Sequence, residues 1–163
     1  MRWLPPRLRA LRCLAFIWAM LGVMIGAVIA TPVPALSVTA RPPAERILDD
    51  SGGRIGNYLS KYEALRKSGH GVAIDGTCAS ACTLVVGIIP HNRICVTPRA
   101  VLAFHSAWDL SLTGLKTNAS ATKYLWSRYP EDVRNWISRH GGLKSKTLYL
   151  GGRDLAAMFP TCR

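Results

Sequence analysis

The sequence predicts an α/β domain, on the basis of three observations. Short apolar segments alternate along the chain with patterns typical of helices, beginning near residue 47. Glycines separate several of these segments from the helical patterns that follow them. Two short strand patterns lie next to each other between residues 93 and 104. Alternation of this kind is typical of a sheet covered by helices.

The first thirty residues are predicted to lie outside this domain. Residues 1–12 carry four arginines and no acid, and residues 13–30 carry no charge. This is the layout of a secretory signal, with cleavage after Ala30 or Ala40. The apolar run of 18 residues is also near the minimum length of a membrane span, so an uncleaved membrane anchor is the alternative. Both interpretations place residues from about 41 onward outside the cytoplasm, in the periplasm of a bacterium.

The domain itself is predicted to cover residues 46–163, after a proline-rich linker at 31–45. Ile47 and Leu48 end a short strand. A helix is predicted from Arg54, because apolar side chains follow at intervals of three and four residues, namely Ile55, Tyr58, Leu59, Tyr62 and Leu65.

The middle of the chain predicts a buried strand and helix and then a strand pair. Residues 71–75 have the pattern of a strand, Gly76 and Thr77 that of a turn, and Ala79–Val86 that of a helix too apolar to face water. Two strands follow at 93–96 and 101–104.

The last third is predicted to be mostly helical. A polar loop runs from His105 to Thr117, and a helix follows from Asn118 to Arg128. The next helix begins at Pro130 with acidic residues in its first turn. A short final helix covers about Arg153–Met158.

The positive charge of the chain is compatible with anionic partners, but its distribution does not indicate a nucleic-acid-binding site. The net charge is +12, and the 17 basic and nine acidic side chains after residue 30 leave +8. No cluster of lysine and arginine is interleaved with aromatic residues. We therefore expect attraction to anionic surfaces, and no nucleic-acid partner.

Four cysteines remain beyond the predicted signal, and an even number in an exported chain predicts two disulfides. They are Cys78, Cys82, Cys95 and Cys162. A bridge between Cys78 and Cys82 would need a distorted turn across Ser80, so we expect each to pair with Cys95 or Cys162. The alternative is a zinc site of these thiols and a histidine. Because the C-x3-C spacing differs from the common C-x2-C knuckle, we predict no metal.

Ser80 is the first candidate for chemistry. It lies where a strand and a turn lead into a helix, so its hydroxyl would lie beside free backbone N–H groups that can stabilise an oxyanion. A serine nucleophile needs a base, and His105 follows a strand whose end can reach the same place. The glycines at 52 and 53 follow an earlier strand. The alternatives are an N-capping role for Ser80, a carbonyl-bonded His105 and a simple glycine turn.

The combination resembles the Clp protease fold within the Clp/crotonase group, and in particular the exported Clp-like predicted serine hydrolases with a C-x-S-A-C motif. The matching segments are SGG at 51–53, GTCASAC at 76–82 and RICVTPRAVLAFH at 93–105. The interval of 25 residues between serine and histidine also matches. The resemblance covers about residues 46–160. It implies a ββα-repeat fold, shortened here at its N-terminal side.

The resemblance also implies a function and its residues. Ser80 would be the nucleophile and His105 the general base, and the N–H groups of Gly53 and Ala81 would bind the oxyanion. The substrate would be a peptide or protein, no cofactor would be needed, and the chain would be able to form a homo-oligomer. The crotonase alternative, an acyl-CoA enzyme, fits poorly because coenzyme A is a cytosolic cofactor.

The sequence departs from the family at the third member of the triad. Counting residues points to Asp154, but aligning YLGGRDLAAMF with the last helix of the family puts the acid near Lys146 or Thr147. The second alignment predicts a Ser80–His105 dyad. Ser51 also stands where the family has a proline. These departures support a second hypothesis, a catalytically inactive Clp-like binding or assembly module at the membrane.

Overall fold

A five-stranded sheet organises residues 45–163, which the computed structural model describes. The sheet contains β1 (Glu45–Asp50), β2 (Val72–Ala79), β3 (Ile94–Val96), β4 (Val101–Phe104) and β7 (Leu148–Gly151), and a separate hairpin contains β5 (Trp108–Ser111) and β6 (Gly114–Thr117). The helices are α1 (Ile55–Ser68), α2 (Val85–Ile88), α3 (Ala119–Arg128), α4 (Glu131–Arg139) and α5 (Gly152–Met158), with 3₁₀-helices at Ser80–Leu84 and His91–Arg93. The predicted α/β class is confirmed.

The strand order is β1-β2-β4-β7, and β3 pairs with the first half of β2. Strands β1, β3 and β4 are parallel to β2, whereas β7 is antiparallel to β4. Asp50 pairs with Cys78, and Ala79 pairs with Ala103. The carboxyl ends of β1, β2 and β4 therefore meet at one edge of the sheet, where ligands bind in open α/β sheets.

The core lies on both faces of β2. Its first four residues are buried, as expected for a parallel strand covered on both sides. Tyr62 of α1, Phe104 of β4 and Ile137 of α4 are among the largest fully buried side chains. The helical periodicity at Ile55–Leu65 thus corresponds to a helix that packs on the sheet.

The predicted turn at Gly76 and Thr77 is wrong, because β2 continues through both residues to Ala79. The pairing of β1 with β2 shifts register between Ile47 and Asp49. At this irregularity a Cβ on residue 76 would overlap the carbonyl oxygen of Leu48. The glycine is there to admit a neighbouring backbone, as in many strands, and not to turn the chain.

Two further elements differ from the prediction. The helix expected at 79–86 is a 3₁₀-helix followed by the single turn of α2. The expected loop after His105 contains the β5–β6 hairpin, in which Gly114, the first residue of β6, has a φ of +107°. Strand β7 was not predicted.

The four cysteines form two disulfides, as predicted, but the expected pairing is wrong. Cys78 pairs with Cys82, and Cys95 pairs with Cys162. The chain reverses direction at Ser80, so the Cα atoms of Cys78 and Cys82 are 5.3 Å apart, a normal separation for a disulfide. No thiolate of these residues remains for zinc. The bridges fit an oxidising compartment outside the cytoplasm.

The signal or anchor at 1–30, with its apolar run at 13–30, and all but the last residue of the linker at 31–45 lie outside the described residues. Among residues 45–163, no helix is long and apolar enough to cross a membrane.

Candidate active site

A groove of about 630 Å³ lies at the carboxyl edge of the sheet. It is lined by the turn between β1 and α1, from Ser51 to Ile55, and by side chains that include Trp108, Asp109 and Leu125. Ser80 and His105 both line the groove. The topology brings them together because each directly follows a parallel strand, β2 or β4.

Ser80 has an unusual backbone conformation. Its φ is +56°, and it is the only residue other than glycine with a positive φ in the described part of the chain. This left-handed conformation costs roughly 1–2 kcal/mol for a residue with a side chain. Serine is thus held in a strained turn at the end of a strand, as nucleophiles are in some hydrolases.

The hydroxyl of Ser80 does not cap a helix. Ala79 occupies the N-cap position of the 3₁₀-helix, and no side chain caps it. Within residues 45–163, the Ser80 Oγ makes no hydrogen bond, and the side chain is half-buried in the groove wall. The N-cap alternative therefore does not describe Ser80.

His105 is oriented by the peptide backbone. Its Nδ1 lies 2.7 Å from the carbonyl oxygen of Ser106. A carbonyl can only accept, so Nδ1 carries the proton and Nε2 of the neutral ring keeps its lone pair. The expected carbonyl bond of a strand-end histidine is present, and it leaves the second nitrogen able to act as a base. No hydrogen bond joins His105 to Ser80 among the described residues.

Gly52 packs directly against the serine turn. A Cβ on this residue would lie 2.6 Å from the Cβ of Ser80 and 2.9 Å from the backbone nitrogen of Ala81, and its φ is +82°. Its own N–H donates to Asp50 Oδ1 at 2.8 Å. The glycine pair therefore does more than turn the chain, since it allows the β1–α1 turn to contact the end of β2.

The two predicted oxyanion donors, the N–H groups of Gly53 and Ala81, belong to different elements, the β1–α1 turn and the 3₁₀-helix. The N–H of Gly53 makes no hydrogen bond within residues 45–163. Ala81 is the second residue of the 3₁₀-helix, where an N–H has no partner inside the helix, and it lies next to Gly52. Both N–H groups are thus at the same edge of the sheet as Ser80.

Asp50 and Tyr58 support the glycine turn, a role that the sequence did not reveal. The Tyr58 hydroxyl donates to the same Asp50 oxygen that binds the Gly52 N–H. Burial, and then the hydrogen bond and charge of Asp50, raise the pKa of Tyr58 to about 12. The phenol remains a donor at physiological pH and holds Asp50 in place.

A second pair of side chains holds the carbonyl of Ser80. Thr83 Oγ1 donates to the Ser80 oxygen at 2.6 Å and lies 2.7 Å from the Tyr129 hydroxyl. Because the single Thr83 proton goes to the carbonyl, Tyr129 is the donor to Thr83. Burial raises the pKa of Tyr129 to about 12, so this buried chain of donors persists at neutral pH.

Asp154 is not brought to His105. It is exposed in the first turn of α5, and its Oδ2 accepts a hydrogen bond from Trp136 Nε1 at 3.0 Å. Asp109 lines the groove, but its Oδ2 accepts from Asn118 Nδ2 at 2.8 Å. Among residues 45–163, no carboxylate hydrogen-bonds His105, and no three His, Cys, Asp or Glu residues could together hold a metal ion.

Comparison with models of known protein families and with the curated proteins found no match to this chain. The chemistry of the groove therefore has to be inferred from its own residues.

Proposed function

We propose that this chain is an exported serine hydrolase that cleaves peptide or protein substrates through Ser80 and His105. The observation that carries the proposal is the left-handed Ser80 at the end of β2, in the same groove as His105 and the glycine turn. Strain of this kind is concentrated at functional sites. An ordinary helix start would not require it.

The residues supply the parts of an acyl transfer. The Ser80 Oγ attacks the substrate carbonyl carbon while His105 Nε2 takes the hydroxyl proton. The N–H groups of Gly53 and Ala81 donate to the oxyanion that forms. His105 then gives the proton to the leaving amine, which leaves an acyl ester on Ser80. Water activated by His105 hydrolyses this ester and restores the serine.

The resemblance to the Clp/crotonase fold is part of this proposal. Its support is the placement of the glycine pair, Ser80 and His105 after three parallel strands of one sheet. The resemblance of the segments at 51–53, 76–82 and 93–105 requires their glycine pair, serine and histidine to lie together in this way. A homo-oligomer and a periplasmic location belong to the same proposal.

The dyad replaces a triad in this account. The Ser106 carbonyl fixes the tautomer of His105, which is one of the tasks of the aspartate in a triad. It does not supply the charge that stabilises an imidazolium. We therefore expect slower turnover than in enzymes with a complete triad.

The test is covalent labelling with a fluorophosphonate, which reacts with activated serines. The full chain, purified under oxidising conditions, should be labelled at Ser80. Ser80→Ala should abolish labelling, and His105→Ala should slow it by about 100-fold or more. The matched controls Ser60→Ala, exposed on α1, and His70→Ala, outside the groove, should be labelled like the wild type. A folded wild type that is not labelled contradicts the proposal.

A second candidate function, a binding or assembly module, is favoured by the β5–β6 hairpin. This hairpin exposes four large apolar side chains, Trp108, Leu110, Leu112 and Leu115, of which Leu112 is fully exposed. Exposed apolar clusters often mark interaction sites. In this function Ser80→Ala would leave the biological role of the protein intact.

A further inference from the structure

Ser80 is held in a backbone conformation that usually requires glycine. The Cys78–Cys82 disulfide lies around it. Cys78 is the penultimate residue of β2, and Cys82 is the third residue of the 3₁₀-helix. Ser80 lies midway between them in sequence. Both cysteines are fully buried.

The bridge restricts the path of the chain at this point. Five residues that continued as a strand would place the first and last Cα atoms about 13 Å apart. The Cα atoms of Cys78 and Cys82 are instead 5.3 Å apart. The chain therefore reverses immediately after the strand, within a segment that contains no glycine, and the disulfide closes this reversal covalently.

The other contacts of Ser80 are less restrictive. The hydrogen bond from Thr83 to the Ser80 carbonyl joins residues three apart, a pattern that regular helix starts also allow. Gly52 leaves room for the Ser80 side chain but does not pull it into place. The disulfide is the covalent constraint that acts on both sides of Ser80.

The second disulfide makes a suitable comparison. Cys95 and Cys162 are 67 residues apart and join β3 to the end of the chain. Neither lines the groove. The two bridges are therefore placed for different tasks, one at the nucleophile and one at the chain terminus.

We propose that the Cys78–Cys82 disulfide positions Ser80, so that the nucleophile is assembled only after oxidation of this pair. Two thiols lose two protons and two electrons to a disulfide oxidant of the export compartment, which is reduced to a dithiol. The chain would be inactive while it is reduced in the cytoplasm and would gain activity after export. The consequence for activity rests on the proposed function, whereas the positioning of Ser80 does not.

The experiment compares the full oxidised chain with two double variants, Cys78→Ala/Cys82→Ala and, as a matched control, Cys95→Ala/Cys162→Ala. The first readout is the NMR cross-peak between the amide and α protons of Ser80, which is strong when φ is positive. The second is the rate of fluorophosphonate labelling at Ser80. Circular dichroism verifies that each protein is folded.

We expect Cys78→Ala/Cys82→Ala to lose the strong Ser80 cross-peak and to be labelled about 100-fold more slowly, the scale of loss for a group displaced by about 1 Å. The control variant should keep both signals. Reoxidation of reduced wild-type protein should restore both signals.

Each other outcome has a definite meaning. A strong Ser80 cross-peak in folded Cys78→Ala/Cys82→Ala overturns the positioning role, whatever the labelling. A wild type with the cross-peak but without labelling contradicts the proposed hydrolase and leaves the positioning role to be decided by the cross-peak of the variant. Equal loss in both double variants overturns the assignment of this task to one bridge.

Discussion

At the scale of single residues, Ser80 combines the chemistry of the proposed reaction with a conformation that serine seldom adopts. Ser80→Gly and Ser80→Ala both remove the hydroxyl, so their comparison isolates the effect of φ. Because Ala remains in the left-handed region, we expect the Gly variant to have the higher free energy of unfolding, by roughly 1 kcal/mol. Urea unfolding of the two purified variants measures this difference.

The matched control is the same pair of substitutions at Ser60, an exposed position inside α1. There the order should be reversed, because Gly is less favourable than Ala in a helix by about 1 kcal/mol. If Ala were also the more stable residue at position 80, the left-handed conformation of Ser80 would be refuted.

The residue types of the site were accessible from the sequence, but their conformation was not. The small residues around Ser80 and the position of His105 after a strand predicted that both lie at one edge of a sheet, and they do. The positive φ of Ser80 occurs between the bonded Cys78 and Cys82 and against Gly52, which lies far away in sequence. Local propensities favour a negative φ for serine, so no local pattern indicated it.

At the scale of elements, a buried carboxylate joins three segments of the sheet. Asp75 of β2 accepts hydrogen bonds from Arg46 of β1 and from Thr97 and Arg99, which lie between β3 and β4. The hydrogen bonds from Arg99, and then that from Thr97, hold the pKa of Asp75 well below its usual range, although burial opposes them. The carboxylate is thus ionised in the fold under all ordinary conditions.

This low pKa makes the stability of the sheet dependent on pH. In the unfolded chain Asp75 takes up a proton near pH 4, whereas in the fold it does so only at lower pH. The stabilisation is therefore complete above about pH 4 to 5 and is lost as the pH falls below about 4. We expect the urea midpoint of Asp75→Asn to depend less on pH between pH 6 and 2 than that of the wild type.

Arg99→Gln tests the cause of the shift. Removal of the guanidinium brings the pKa of Asp75 closer to its unfolded value, so the loss of stability in acid should be smaller and should end at a higher pH. Equal acid sensitivity of the wild type and Asp75→Asn would contradict the role of this carboxylate.

The elements that the sequence analysis missed share a cause. The strands of the β5–β6 hairpin are short, and their apolar side chains are exposed among polar residues. Neither a buried apolar run nor a regular alternation of apolar and polar residues therefore indicated these strands. Strand β7 has four residues and is defined by its pairing with β4. Helix α1 was predicted near its observed start from its periodic apolar face, and α4 from the proline and the acidic residues at its beginning, because these are local signals.

At the scale of the whole molecule, the two disulfides close loops of very different length. The Cys95–Cys162 bridge spans 67 residues, and the Cys78–Cys82 bridge spans four. Near the longer bridge, the Val96 N–H donates to the Pro160 carbonyl, and the Cys162 N–H donates to the Val96 carbonyl. The end of the chain is thus attached to the edge of β3 by both covalent and hydrogen bonds.

Because a disulfide stabilises mainly by restricting the unfolded chain, the longer loop should contribute more. The chain-entropy relation gives about 4 kcal/mol for a loop of this length and about 2 kcal/mol for the short one. We therefore expect Cys95→Ala/Cys162→Ala to lower the free energy of unfolding more than Cys78→Ala/Cys82→Ala does, as measured by urea unfolding of both double variants beside the wild type. The labelling of Ser80 is expected to follow the opposite order, so the less stable variant should be the more reactive one. If labelling instead fell in step with stability, Ser80 would depend on the general stability of the fold and not on the bridge that surrounds it.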